Sequence, residues 1–139
     1  MYRALFLGIG SLALGASTPP PETVTPAFRH AIPNIPGKTV LAAMVDYPPG
    51  GASPPHRHPA SAFIVAYVLS GEIRSAVDGS PPQIYRAGES WVEAPGAHHT
   101  ISRNASATAP ARLMAIFIVN TEERNLVVPD HGGTTKPLN

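Results

Sequence analysis

The chain has 139 residues, the length of one domain, and carries 10 Lys and Arg against 9 Asp and Glu, which excludes the broad basic surface that a nucleic-acid partner needs. It has no cysteine, so disulfides and thiolate ligands are unavailable and any metal must be held by histidine or carboxylate. Its 17 prolines and 12 glycines interrupt it too often for long helices and favour short strands joined by turns.

Met1-Tyr2-Arg3 is a short basic start, followed by the uncharged, mostly apolar run from Ala4 to Ala16. The run is shorter than the roughly 20 apolar residues that cross a bilayer, and small residues at Gly15, Ala16 and Ser17 end it. Residues 1–17 therefore read as a secretory signal peptide cut near Ala16 or Ser17. That predicts a secreted or periplasmic protein with no stable membrane span after cleavage. The segment 18–37 carries Pro19, Pro20, Pro21, Pro26, Pro33 and Pro36, whose fixed φ angles and missing donors predict an extended Pro-rich N-terminal arm lying along an edge.

Strands are predicted next at Lys38 to Tyr47, Ala62 to Leu69, Glu72 to Val77, Gln83 to Arg86 and Ser90 to Ala94, each closed by turn residues rich in Gly, Pro or Asp, and at His98 to Arg103 and Ala111 to Asn120. Ile73, Ser75 and Val77 alternate with more exposed-type neighbours, as on a strand with one wet face. The runs over 62–69 and 113–119 are apolar on both parities, which predicts central strands covered on two sides. Seven short strands with no room for a helix argue for an antiparallel sandwich or barrel over residues 38–120. Residues 121–139 are expected to form a flexible C-terminal tail.

The chemistry is concentrated in His56-Arg57-His58 and His98-His99. Residues two apart on a strand face the same way, about 6–7 Å apart, so His56 and His58 can lean toward one ion. His99 follows the turn Pro95-Gly96, from which it can close a three-nitrogen site. His98 has the opposite parity and faces away if the strand already runs there; an irregular turn would let the two exchange roles. Glu93, just before that turn, is a further candidate ligand, set against the commoner reading of a solvated carboxylate at a strand end. Arg57 points away by parity, His30 and His131 read as solvated surface residues, and Tyr67 and Trp91 read as packing aromatics.

These spacings resemble the two motifs of the cupin superfamily. Gly50 stands ahead of His56 and His58, with Gly71 closing the first motif, and Gly88, Gly96 and His99 match the second, with Asn104 following. The resemblance implies an all-β antiparallel jelly-roll barrel. It also implies a divalent metal held by His56, His58 and His99, with Fe(II) favoured and Zn, Mn, Ni or Cu open. The family's metal-binding Glu should fall at Ala62, Phe63 or Ile64, none of which binds metal, so the fourth ligand is absent from its usual place. Ala94 replaces the motif's Pro. A three-His centre resembles that of diketone-cleaving dioxygenases, implying an oxidoreductase acting with O2 on a small chelating or enolisable substrate. The alternative is a non-catalytic module that binds a small anionic or sugar-like ligand, or the metal itself. The resemblance further implies homodimers formed through edge strands, across which the Pro-rich arm can swap.

Overall fold

The computed structural model describes residues 17–131, leaving the signal-peptide reading of residues 1–16 and the end of the tail outside the described residues. Eleven strands and no helix occur among them. Seven lie where alternation and turn residues predict them: β2 (Lys38–Tyr47), β5 (Phe63–Ser70), β6 (Glu72–Val77), β7 (Gln83–Arg86), β8 (Ser90–Glu93), β9 (His98–Asn104) and β10 (Ala111–Asn120). The other four are β1 (Thr23–Ala31), β3 (Ala52–Ser53), β4 (His56–Arg57) and β11 (Val128–Pro129).

All pairings are antiparallel and build two sheets. A five-stranded sheet has the order β1-β2-β10-β5-β8; a six-stranded sheet runs β11-β4-β9-β6-β7, with β3 beside β9. The chain crosses between them at Gly71, which takes φ +71°, a backbone region that side chains resist, and where a Cβ would sit 2.6 Å from the Pro110 carbonyl oxygen. Their inner faces enclose the core: Tyr47, Ala66, Val68, Ile73, Trp91 and Leu113 toward one end, Leu41, Ile64, Phe117, Val119 and Leu126 toward the other.

Three expectations change. The Pro-rich arm is not merely extended: residues 23–31 form a nine-residue strand hydrogen-bonded to β2 at the sheet edge. Pro26, which cannot donate, sits where the register shifts between Pro26 and Phe28, the kind of irregularity that admits proline into an edge strand. The tail is not free over its first part, because Leu126 is 1% exposed and β11 pairs with β4. Of the apolar Leu126-Val127-Val128 run, Leu126 joins the core cluster of Leu41, Ile64, Phe117 and Val119. Finally, β5 is a central strand covered on one side only, since Phe63, Tyr67 and Leu69 remain 38–42% exposed on the outer parity, while the outward Met114, Ile116 and Ile118 of β10 are half-buried.

Candidate metal centre

His56 and His99 are direct partners across the β4–β9 ladder, so their side chains leave the sheet on the same face. His58, two residues on, follows the same parity and is anchored by its amide to the Ala97 carbonyl (3.0 Å). The three rings are each 8% exposed or less, and one nitrogen from each lies within 4.8 Å of the others.

Hydrogen bonds at the far side of two rings decide which nitrogen faces inward. His56 Nδ1 donates to the Pro54 carbonyl (2.8 Å) and His58 Nδ1 to the Leu126 carbonyl (2.7 Å). A carbonyl only accepts, so both Nδ1 atoms carry the proton and each neutral ring turns an Nε2 lone pair toward the centre. Burial, reinforced by His58 and His99 and opposed by the Pro54 bond, pushes His56 down to about 4, which keeps this ring neutral at physiological pH. His99 differs: its Nε2 meets the Ser75 hydroxyl (2.9 Å), and its Nδ1 faces Glu93 (3.1 Å).

Glu93 is the residue whose two sequence readings part most clearly. It is 2% exposed, so it is not a solvated strand end. It sits opposite Ile64 on the neighbouring strand, and Ile64 is one of the positions where the resemblance puts the missing Glu. A carboxylate is thus delivered to the histidines from β8 rather than β5. Its Oε1 accepts from Trp91 Nε1 (3.1 Å). Its Oε2 is buried without a hydrogen-bond partner among the described residues, although His58 Nε2 lies 3.2 Å away. With the His58 proton committed to Leu126, that contact sets a lone pair against a carboxylate oxygen. Burial works to raise the Glu93 pKa and an imidazole N–H facing it works to lower it; with the His58 proton on Leu126, only His99 can present one. Three imidazoles, one orphaned carboxylate oxygen and mutual lone-pair repulsion fit a divalent cation, which would give all four a common partner.

His98 does not join this set. It is the cross-strand partner of Arg57 on the outer side, where its Nδ1 accepts from Arg57 (3.2 Å) and its Nε2 donates to Asp130 (2.7 Å). The parity expected of a regular strand prevails, because β9 already begins at His98. Trp91, 7% exposed, packs edge-on against His99. His30 stacks on Phe28 outside the barrel, and His131 is exposed.

A family model described as "Cupin domain" matches residues 43–117, more than half of the chain. The chain belongs to the cupin family. It is 33% identical over 116 residues to germin-like protein subfamily 2 member 2 of Arabidopsis thaliana, a match covering 81% of this chain and 51% of the relative. Subfamily 2 member 4 of the same plant is 30% identical over the same span and coverage. This cupin therefore spans about half the length of the curated relatives it matches. Among solved structures, a recombinant oxalate oxidase in complex with glycolate superposes with a TM-score of 0.61 at 29% identity, over 81% of this chain and 57% of that one.

The centre opens into a cavity of about 280 Å³ between the sheets, lined on its apolar side by Val24, Val45, Ile64, Leu113, Ala115 and Phe117. Sequence reasoning missed its polar members. The Tyr47 hydroxyl bonds to Ser53 (2.7 Å) and Ser102 (2.8 Å), and burial pushes this phenol up to about 12. Glu22, from the Pro-rich arm, also lines the cavity. Nothing in the proline-dominated context of Glu22 announces an inward carboxylate.

Proposed function

We propose that this cupin binds one divalent ion through His56, His58, His99 and Glu93, and acts as an oxidoreductase on a small chelating or enolisable substrate. The observation that carries the reading is the pair of Nδ1–H bonds to backbone carbonyls, which leave two buried lone pairs aimed at one point beside a partnerless carboxylate oxygen. When bound, the ion supplies Lewis acidity and open coordination positions that can polarise substrate oxygens and admit O2. His56 and His58 present rigid donors, Ser75 orients His99, and Trp91 orients Glu93. Phe117 and Ile64 keep the cavity dry, so charge developing on the substrate meets these groups rather than water. Imidazoles suit Fe, Zn, Ni and Cu, and the carboxylate extends the choice to Mn; Fe(II) is the ion of the proposed dioxygen chemistry. The likeness to an oxalate oxidase supports oxidoreductase chemistry at this site. Glu22 and Glu93 put titratable groups in the same cavity as the histidines, which supports a catalytic site over a purely binding module. The basic start and apolar run of residues 1–17 support a secreted or periplasmic location.

Elemental analysis of protein purified without added metal is expected to find about one divalent ion per chain; metal-free protein that takes up none on titration would end the proposal. Glu93→Gln separates a ligand from a structural carboxylate. Its amide can donate to the His58 lone pair, so the metal-free variant should melt no lower than the parent while binding metal about 10–100-fold more weakly. A lower melting point with unchanged metal affinity would make Glu93 structural. Oxygen uptake by the Fe(II)-loaded protein with diketones and flavonols tests the reaction class.

A further inference from the structure

The cavity is chemically lopsided. Besides the imidazoles and Glu93, its polar lining consists of Glu22, Tyr47, Ser53 and Ser102, and no Lys, Arg, Asn or Gln contributes among the described residues. The three hydroxyls are committed to one another. Glu22 is not: its Oε2 is buried and has no hydrogen-bond partner among the described residues. Glu22 and Tyr47 both line this cavity. A buried acceptor without a donor is costly unless something supplies one.

We propose that Glu22 is a ligand-recognising residue, and that the cavity takes a small, largely apolar chelating ligand that carries a hydroxyl donor for Glu22 and discriminates against dicarboxylates. This rests on the metal reading above. A divalent ion with Glu93 leaves one net positive charge at the centre, which a single acidic enol or phenol oxygen neutralises. A dianion such as oxalate overshoots, and in this cavity its surplus charge meets the Glu22 carboxylate with no cation to offset it. The apolar walls match a carbon-rich ligand body rather than a two-carbon diacid. The substrate class thus differs from the one named for the oxalate oxidase neighbour.

Zinc-loaded wild type, Glu22→Ala and Glu22→Gln are titrated calorimetrically with kojic acid, with allomaltol (the same hydroxypyranone bearing methyl in place of hydroxymethyl) and with oxalate, zinc retention being measured after each titration. Wild type should prefer kojic acid over allomaltol about fivefold, roughly the value of one net hydrogen bond, and Glu22→Ala should erase that preference while tightening oxalate about tenfold. Oxalate affinity that is unchanged or weaker in Glu22→Ala overturns the proposal, as does a kojic acid preference that survives it. Failure of the wild type to take up zinc at all sinks the metal reading itself, and this inference with it. Both variants should melt at or above the parent, because the orphaned oxygen gains nothing from folding; a drop of several degrees would assign Glu22 a structural role instead.

Discussion

The two sheets enclose one cavity but contribute opposite things to it. The six-stranded sheet brings the imidazoles, through the β4–β9 pairing of His56 with His99, and the supporting hydroxyls Ser75 and Ser102. The five-stranded sheet brings Phe117, Ile64, Leu113 and Val45, and into this apolar wall it sets the carboxylate of Glu93, on its edge strand β8. One sheet is therefore a rack for donors and the other a hydrophobic lid, and damage to each should read out differently. Stability should follow the lid's apolar residues; metal affinity should follow the rack together with Glu93.

The largest effect expected on the lid side is from Phe117→Ala. Phe117 is 4% exposed and packs edge-on against the His58 ring at 5.7 Å, so truncation opens a cavity and should cost about 3–5 kcal/mol in a denaturant titration. The metal affinity of the fraction that stays folded should change by no more than a few-fold. His99→Ala tests the rack: metal binding should weaken by at least about 100-fold, beyond the range of outer-sphere partners, with the denaturation midpoint of the metal-free protein much less affected. If Phe117→Ala removed metal binding at unchanged stability, the division between the sheets would fail.

Tyr47 belongs to the lid sheet but bonds to Ser102 of the rack, and so probes the seam. Its folded pKa is raised from 10.0 to about 12, chiefly by burial, so the fold keeps the proton that the unfolded chain has lost between those values. The associated stability is complete below pH 10 and drains away as pH rises toward 12, by about 2–3 kcal/mol. In Tyr47→Phe this alkaline slope should vanish, while stability at neutral pH falls by about 1 kcal/mol for the lost hydroxyl bonds. Parallel pH curves for the two proteins would show that the phenol does not carry the dependence.

The rack was far more legible in the sequence than the lid's polar insertions. His56, His58 and His99 could be read because strand parity and turn placement are local rules, and those rules also separated His99 from His98. The destination of Glu93 was not local: its value depends on β8 lying beside β5, a pairing 29 positions apart at Ile64 and Glu93, and periodicity does not encode which strands become neighbours. Glu22 was hidden for a related reason. Prolines mark a segment as extended but not which sheet edge it joins, and only the β1–β2 register brings that arm to the cavity mouth. Leu126 shows the same limit, since a three-residue apolar run among polar neighbours gains its meaning only from the core cluster that Leu126 joins.

The smallest effect expected falls within the rack itself and asks whether its three histidines are equivalent. His56 and His58 are pinned by backbone carbonyls, which no side-chain substitution removes, whereas His99 is pinned by the Ser75 hydroxyl (2.9 Å). A hydroxyl both donates and accepts, so it can serve His99 whichever nitrogen carries the proton: it gives a hydrogen bond to Nε2 while Nδ1–H faces Glu93, and takes one from Nε2–H once Nδ1 turns its lone pair to an ion. Ser75→Ala should therefore weaken metal binding about tenfold, Ser75→Thr should restore most of that loss, and neither should shift the melting point of the metal-free protein by more than about 1 kcal/mol equivalent. A full loss of affinity in Ser75→Ala would mean that His99 cannot hold its ring without the hydroxyl. No loss at all would mean that Glu93 and Trp91, on the opposite sheet, orient it instead, and that the rack depends on the lid.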